Sequence, residues 1–338
     1  MDENGRSGAG QRDRIVVGAS AGGVKALVQL VGSIPASLPA AILLVLHTNP
    51  FGRSSLPEIL TNAGKLPAKH AEDGEPIRLG QIYVAPPNLH LLVAKDCLKL
   101  SRGPKENRNR PSIDALFRSA ALTCGRRVIG VILSGELDDG TQGLYYVKEY
   151  GGVAIIQDPR SASNESMPRN AMTAVQVDHC LRLDAMGAVL HSLVLEELEE
   201  STQKMVHPVF EPIKNPVAFT CPECNGPVWE TKYGSLSRFE CRVGHAFSGD
   251  SMLAGQSDEL ERALWTAMKE LEQSVALLRY LAGQAEASGK RLPRCDFEER
   301  AKEKEQQAAV IRGILDKDAP LIGIRDDGSG PARSEDRN

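Results

Sequence analysis

Short apolar runs without polar side chains recur along the first 200 positions, among them 15–17, 41–46, 82–85, 128–133 and 153–156. Between most of them, apolar residues fall at steps of three and four, as in Val24, Leu27, Val28 and Val31, or Ile113, Leu116, Phe117, Ala120 and Ala121. That is the spacing of helices with one buried face. Strands without polar alternation are buried on both faces, and strands that alternate with helices build parallel βαβ units. The expected fold is therefore α/β, a doubly wound, mostly parallel sheet of Rossmann-like type.

At 338 residues the chain exceeds one such unit, since domains average roughly 150 residues. Residues 1–12 are polar and are expected to be a disordered N-terminus, with the α/β unit over 13–200. A Pro- and Lys-containing passage at 201–216 reads as a linker. A small zinc-ribbon-like module is expected over 217–250 and a helical hairpin over 251–318, followed by a disordered tail at 319–338. In the hairpin, Leu260, Leu264, Ala267, Leu271, Val275 and Leu278 mark one apolar face. Phe297, Ala301, Ala308, Ile311 and Leu315 mark the partner, with Gly289 and Pro293 in the turn.

Charge excludes several classes of function. Forty basic against 44 acidic side chains leave a net charge of -4, and no dense Lys/Arg tract is available to neutralise phosphates or an anionic membrane. No nucleic-acid partner is expected. No apolar run approaches the roughly 18 residues of a bilayer span, so direct membrane insertion is not expected either. The first residues lack the apolar core of a secretory signal, so the chain is expected in the cytoplasm and its seven cysteines in a reducing compartment.

The segment Gly18-Ala19-Ser20-Ala21-Gly22-Gly23 follows the first strand and opens a helix. A serine on a sharp strand-to-helix turn is exposed, with helix-start amides nearby, which is the context of a nucleophile elbow. A dinucleotide cradle is the competing reading. It wants a glycine where Ser20 stands and an acidic residue about 20 positions on, whereas the next strand ends in Leu46-His47. A serine needs a base, and His47 is placed for it at the C-terminal edge of that strand. His70, His90, His179 and His191 lack that placement. A carboxylate should orient the imidazole. Asp138 and Asp139 follow the buried run at 128–133, and sequence pattern alone does not choose between them or exclude that they merely cap the next helix.

Cys221, Cys224, Cys241 and His245 stand in the order C-x2-C-x16-C-x3-H. Two close pairs of this kind can close a tetrahedron around a structural zinc and leave no open catalytic position. A redox C-x-x-C is the rival reading, but it gives Cys241 and His245 no work. Trp229 and Phe239 are expected to pack around the knuckles. Cys97, Cys124, Cys180 and Cys295 are isolated and are expected to behave as small apolar residues.

Taken together, these residues resemble the catalytic domain of the bacterial chemotaxis methylesterases, the CheB family, over about residues 15–194. The anchors are the Ser20 turn, His47, Ala71-Glu72-Asp73-Gly74-Glu75, Ile82-Tyr83-Val84-Ala85-Pro86, Asn109-Arg110-Pro111-Ser112-Ile113-Asp114-Ala115-Leu116-Phe117, the Gly135 to Gly140 loop and Met167-Pro168-Arg169. The resemblance implies hydrolysis of glutamate γ-methyl esters on a methylated chemoreceptor or receptor-like protein, with glutamine deamidation in some relatives and no cofactor for catalysis. It maps the triad to Ser20, His47 and Asp139, the aspartate that immediately precedes the loop glycine. It assigns oxyanion help to amides around Ala21 and Glu136, where Glu136-Leu137 replaces the family's usual Met-Gly. Arg110, Met167 and Arg169 are then candidates for substrate binding, with Arg108 beside them. Many members carry an N-terminal receiver domain, and the expectation here is the stand-alone branch with a cysteine-containing extension. The helices beyond the metal module are a candidate surface for homodimerisation, for covering the site or for docking a partner. The alternative from another class is a regulatory scaffold without turnover.

Overall fold

The structure is a computed structural model that describes residues 10–50, 52, 54–198, 215–234, 236–289 and 291–316. Strands β1 (Arg14–Ala19), β2 (Ala41–Leu46), β3 (Ala68–His70) and β4 (Ile82–Val84) come first. A hairpin of β5 (His90–Ala94) and β6 (Cys97–Ser101) separates them from β7 (Val128–Ile132), β8 (Val153–Gln157) and β9 (His179–Leu181). Apart from the hairpin, these strands form one seven-stranded sheet in the order β3-β4-β2-β1-β7-β8-β9. All its pairings are parallel.

Helices cover both faces, and the sheet residues divide between them by the period of two. Ile15, Val17, Ile42 and Leu44 pack on one side with Leu27 and Leu30 of α1 (Gly23–Ser33), Leu60 of α2 (Leu56–Ala63) and Leu190 of α6 (Leu183–Leu195). Val16, Leu43, Val45 and Ile132 face the other way. They meet Leu116 and Phe117 of α3 (Ile113–Cys124), Leu144 of α4 (Thr141–Glu149) and Ala171 of α5 (Ser166–Ala174). The chain leaves β1 for β2 on one side and later returns to β7 on the other. At such a reversal the loops after neighbouring strands part and leave a crevice at their carboxyl ends.

All five apolar runs are strands, with ends that differ from the runs by at most two residues and, for β2, not at all. The short strands β3 and β9, which carry no all-apolar run, and the β5–β6 hairpin, despite the apolar run at 91–94, were not expected. Of the expected N-terminal tail, residues 1–9 lie outside the described residues, but 10–12 are paired: Gln11 bridges to Glu197 and Arg12 binds Glu196. The expected linker lies outside the described residues except for 215–216. Those two open β10 (Asn215–Thr220), where Pro216 pairs with Trp229. The expected C-terminal tail also lies outside the described residues.

Strand β10 joins β11 (Pro227–Tyr233), β12 (Leu236–Cys241) and β13 (Ala246–Phe247) in an antiparallel sheet. Its core is small: Cys221, Val228, Cys241, Phe247 and Met252, with Phe219 and Phe239 against it. Phe239 therefore packs where expected, whereas Trp229, next to inward-facing Val228, is not part of that cluster. The module sits on the α/β unit. Tyr233 packs on Tyr146 of α4 with ring centroids 5.8 Å apart. Glu106 receives both Arg118 of α3 and Arg238 of β12, at 2.7 and 3.0 Å.

The remaining unit is made of α7 (Gly249–Ala287), from about residue 256 on, and α8 (Arg291–Leu315). Met268, Val275, Leu278, Ala282 and Ala285 are buried on α7, and Ala301, Ala308 and Leu315 on α8. Steps of three and four repeated every seven residues are the seam of a coiled-coil hairpin. Arg312 pairs with Glu272 and Arg279 with Glu305 across it. Leu260 and Ala267, expected on the seam, are exposed. Ala267 falls one position off the seam, and Leu260 lies twelve residues before Glu272, the partner of the last turn of α8. Gly289 turns the chain at φ 67° as expected, but Pro293 stands within the first turn of α8, where a missing N–H costs nothing. No helix among the described residues is long and apolar enough to cross a membrane.

The Glu106 cluster gives a pH prediction. Burial opposes its charge, but Arg118 and then Arg238 outweigh burial and take the carboxyl from 4.5 to about 2. A carboxyl depressed on folding contributes stability above its unfolded value and loses it as pH falls toward its folded value. Glu106→Gln is expected to cost about 3 kcal/mol at pH 7, the low end for breaking a buried ion pair. That difference from the parent chain should shrink between pH 4.5 and 2. Urea unfolding of both proteins at pH 7 and pH 3 checks it.

Candidate functional site

Ser20 follows β1 directly, and its amide donates to the Ser134 carbonyl beyond β7 at 2.9 Å. The turn into α1 then passes through Gly22 at φ 74°, a left-handed conformation, and a Cβ there would lie 2.6 Å from Ser163. Glycine is the residue that satisfies both limits. His47 follows β2, and its amide donates to the Ala19 carbonyl at 3.1 Å, which fixes the two strand ends side by side. Asp139 comes from the loop between β7 and α4. The crevice at the strand reversal thus collects all three residues.

The side chains form a continuous chain. The Ser20 hydroxyl lies 3.1 Å from His47 Nδ1, and His47 Nε2 lies 2.8 Å from Asp139 Oδ2. With Nε2–H donating to the carboxylate, the Nδ1 lone pair faces the serine hydroxyl, which is the tautomer a general base needs. The His47 side chain is 12% exposed and that of Asp139 2%.

A buried carboxylate stays charged only if donors surround it. Five reach Asp139: His47 Nε2, the Asn107 side-chain amide at 2.9 Å, the Ser112 hydroxyl at 2.9 Å, and the backbone amides of Ile113 and Asp114 at 2.8 and 3.2 Å. Burial opposes the charge, but His47, by hydrogen bond and charge, outweighs it together with Asn107 and Ile113. They hold the carboxyl below the ordinary aspartate value. Ile113 and Asp114 open α3, so Asp139, from the loop between β7 and α4, caps that helix and meets its positive end. The anticipated helix-capping role is therefore present, but on α3; α4 is preceded by Gly140 with no side-chain cap. Asp114, itself buried, accepts from Gly143 N and Asn107 Nδ2, and burial followed by the Asp139 charge pushes its carboxyl up. Asp138 points elsewhere. Its Oδ1 accepts the hydroxyls of Ser248 and Ser251 at 2.7 and 3.2 Å, and burial raises it to about 6.

The other expected site residues fall into two groups. Ala21 and Glu136 stand on the two loops that flank Ser20. The Ala21 carbonyl accepts the Ser134 hydroxyl at 2.7 Å, and the Glu136 carboxylate is tied to Asn164 at 3.1 Å. Met167 is fully buried, and its thioether is the atom group a Cβ on Gly135 would strike. It backs the loop. The Arg110 guanidinium is committed to Asn88 Oδ1 and to the Gly103 and Arg102 carbonyls, and Arg169 pairs with Glu165 one turn away at 2.6 Å. His90 is satisfied between Pro104 O and Ser112 N, with burial lowering its pKa, and so props the residue that holds Asp139. His70 binds the Ser54 carbonyl at 3.1 Å. Cys97 and Cys124 are half-buried, while Cys180 and Cys295 are exposed and so do not behave as buried apolar groups. Asn107 was not singled out in the sequence, and Ser112 stood there only within a family anchor, without a role. Ser112 had a local signal, a serine just before a helical run. Asn107 had none, because its partner is 32 residues away.

Cys221, Cys224, Cys241 and His245 converge, with their four ligand atoms within 4.8 Å of one another. Both knuckles close on themselves: Cys221 N donates to Gly226 O, and Cys241 N to His245 O, past Gly244 at φ 100°. The separations are 3.6 Å for Cys224 to Cys241, 3.6 Å for Cys241 to His245 and 3.8 Å for Cys221 to His245. A tetrahedral zinc with sulfur at about 2.3 Å and nitrogen at about 2.0 Å needs edges of about 3.8 and 3.6 Å. The donor set and its spacing fit such an ion.

Comparisons with known proteins agree with this geometry. The family model described as CheB methylesterase matches residues 15–190. A curated protein of Leptospira interrogans is 39% identical over 189 residues, 56% of this chain and 98% of that protein. A Methanosarcina mazei protein named protein-glutamate methylesterase/protein-glutamine glutaminase 2 is 36% identical, over 54% of this chain and 52% of its own length. The crystal structure of the Thermotoga maritima CheB methylesterase catalytic domain superposes with a TM-score of 0.52 at 33% identity, covering 54% of this chain and 98% of that one. With the family model spanning more than half of its length, the chain belongs to the CheB methylesterase family.

Proposed function

We propose that this chain is a protein-glutamate methylesterase whose nucleophile is Ser20, with His47 as general base and Asp139 as the group that orients and stabilises the imidazole. The hydroxyl-to-imidazole-to-carboxylate chain at 3.1 and 2.8 Å carries the reading. Ser20 Oγ attacks the γ-carbonyl of a glutamate methyl ester while His47 Nδ1 takes its proton. Collapse of the tetrahedral intermediate expels methanol, which takes that proton. Water then attacks the acyl-enzyme, again giving a proton to His47, and releases the glutamate carboxyl and Ser20. The same attack on a glutamine side chain releases ammonia. No cofactor enters any step.

The developing oxyanion needs fixed amides. Those of Ser20 and Gly135 are spent on the Ser134 and Asn164 carbonyls. The amides of Ala21 and Glu136, on the same two loops, are therefore assigned to it, and the tie to Asn164 keeps the Glu136 carboxylate engaged away from the developing charge. The substrate is a methylated chemoreceptor or a protein like one. A scaffold role without turnover gains nothing from a buried charged aspartate aligned on a histidine and a serine.

We assign a structural zinc to Cys221, Cys224, Cys241 and His245. Four protein ligands close its coordination sphere, so it supplies stability to a module whose own core is small.

Ser20→Ala should abolish methanol release from a methylated receptor and leave the circular dichroism spectrum unchanged; full methanol release by that variant would contradict the assignment. Asp139→Asn should lower kcat by about 10⁴, the size seen when a triad histidine is left in the wrong tautomer. Metal analysis of the purified chain should find roughly one zinc per chain, lost in Cys221→Ser.

A further inference from the structure

The segment that follows the last metal ligand is built into the surroundings of the triad aspartate. Directly after His245, Ala246 pairs with the loop before α3: its carbonyl accepts Asn107 N at 2.8 Å and its amide donates to Lys105 O at 3.2 Å. Ser248 N donates to Asn107 Oδ1 at 2.9 Å. That bond leaves Asn107 Nδ2 as the donor face, and its two hydrogens go to Asp139 Oδ1 at 2.9 Å and Asp114 Oδ2 at 2.7 Å. Asn107 is buried and holds φ 48°, a left-handed conformation that a non-glycine residue keeps only where its surroundings over-determine it. The next step of the same segment clasps the neighbouring carboxyl, since Ser248 and Ser251 both donate to Asp138 Oδ1. Between the two cysteines of the first knuckle, Glu223 binds Lys105 at 2.9 Å. Both knuckles therefore grip residues 105–107, and one grips the Asp138–Asp139 loop.

We propose that Asn107 is a positioning residue for Asp139 and that the Cys3His module holds it in place, so that metal loading of the module sets the rate of ester hydrolysis. The amide of Asn107 cannot choose its orientation alone, because its oxygen and nitrogen ends are nearly the same shape. Ser248 N–H requires the oxygen on one side, as the carboxyl oxygens of Asp139 and Asp114 require the NH2 group on the other, and so it reinforces the orientation that turns the NH2 group to Asp139. Ser248 is three residues past the ligand His245, and the closed knuckle sets the path of 246–248 that brings its N–H to Asn107. Opening the knuckle frees 246–248, releases Asn107 from its left-handed turn and removes one of the donors that keep Asp139 charged and aimed at His47. The inference rests on the triad reading and extends it.

The test uses the full chain, loaded with zinc or stripped by a chelator, with methanol release from a methylated receptor as the assay. Stripping is expected to lower kcat about 10²-fold, the cost of a small misplacement in a catalytic array, with KM within a factor of two. Asn107→Ala with zinc bound is expected to show a similar loss, and stripping that variant to add less than threefold, because both changes cut the same link. Hydrogen exchange on the parent chain should show faster exchange at 105–109 and 138–140 after stripping, with β1, β2 and β7 unchanged; this needs no substitution and stands if the variant fails to fold. Full kcat in the stripped enzyme, losses that multiply in the stripped variant, or unchanged exchange at 105–109 would each overturn the coupling. Ser20→Ala run alongside separates the two claims: turnover in that variant sinks the triad itself, whereas an inactive Ser20→Ala beside an indifferent stripped enzyme sinks the coupling alone.

Discussion

A single buried negative charge organises this protein. Asp139 is 2% exposed and must be ionised to serve His47, yet an unpaired carboxylate in such a place would take up a proton instead. The fold answers with donors from separate parts of the chain: the imidazole after β2, the first amides of α3, the Ser112 hydroxyl and the Asn107 amide. Each donor has its own support, as His90 supports Ser112 and Ser248 supports Asn107. The neighbouring carboxyl of Asp114 is pushed toward its neutral form, which spares the site a second buried charge.

The strand reversal at β1 makes this convergence possible. Placing β2 and β7 on opposite sides of β1 brings their carboxyl ends, and the loops after them, to one crevice. Ser20 needs no further machinery to be presented, because the turn at Gly22 leaves the strand too sharply for the serine to be covered. Two short bonds, Ser20 N to Ser134 O and His47 N to Ala19 O, carry the register of the sheet into the site.

What could be read from the sequence follows the range of the signals. Wholly apolar runs mark central strands, so β1, β2, β4, β7 and β8 were legible. The edge strands β3 and β9 are three residues long and polar in part, and only pairing reveals them. Ser20 and His47 were legible because each sits directly after a strand. Asp139 was separated from Asp138 by family resemblance alone, and the physical distinction lies in the opposite directions of the two side chains, one toward α3 and the other toward Ser248 and Ser251. Arg110 and Arg169 looked available as charges, but their guanidinium groups are taken by Asn88 and Glu165. The convergence of Cys221, Cys224, Cys241 and His245 was legible from spacing, and the attachment of their module to Asn107 was not, since no local pattern reports a contact across 141 residues.

The central claim is that His47, held by Asp139, makes Ser20 nucleophilic. Its most direct measurement is mass spectrometry of the protein after treatment with a serine-reactive phosphonate, in the parent chain and in His47→Ala. The account predicts a single adduct on Ser20 in the parent and essentially none in the variant. An adduct on another residue, or equal labelling of Ser20 in both proteins, would contradict it.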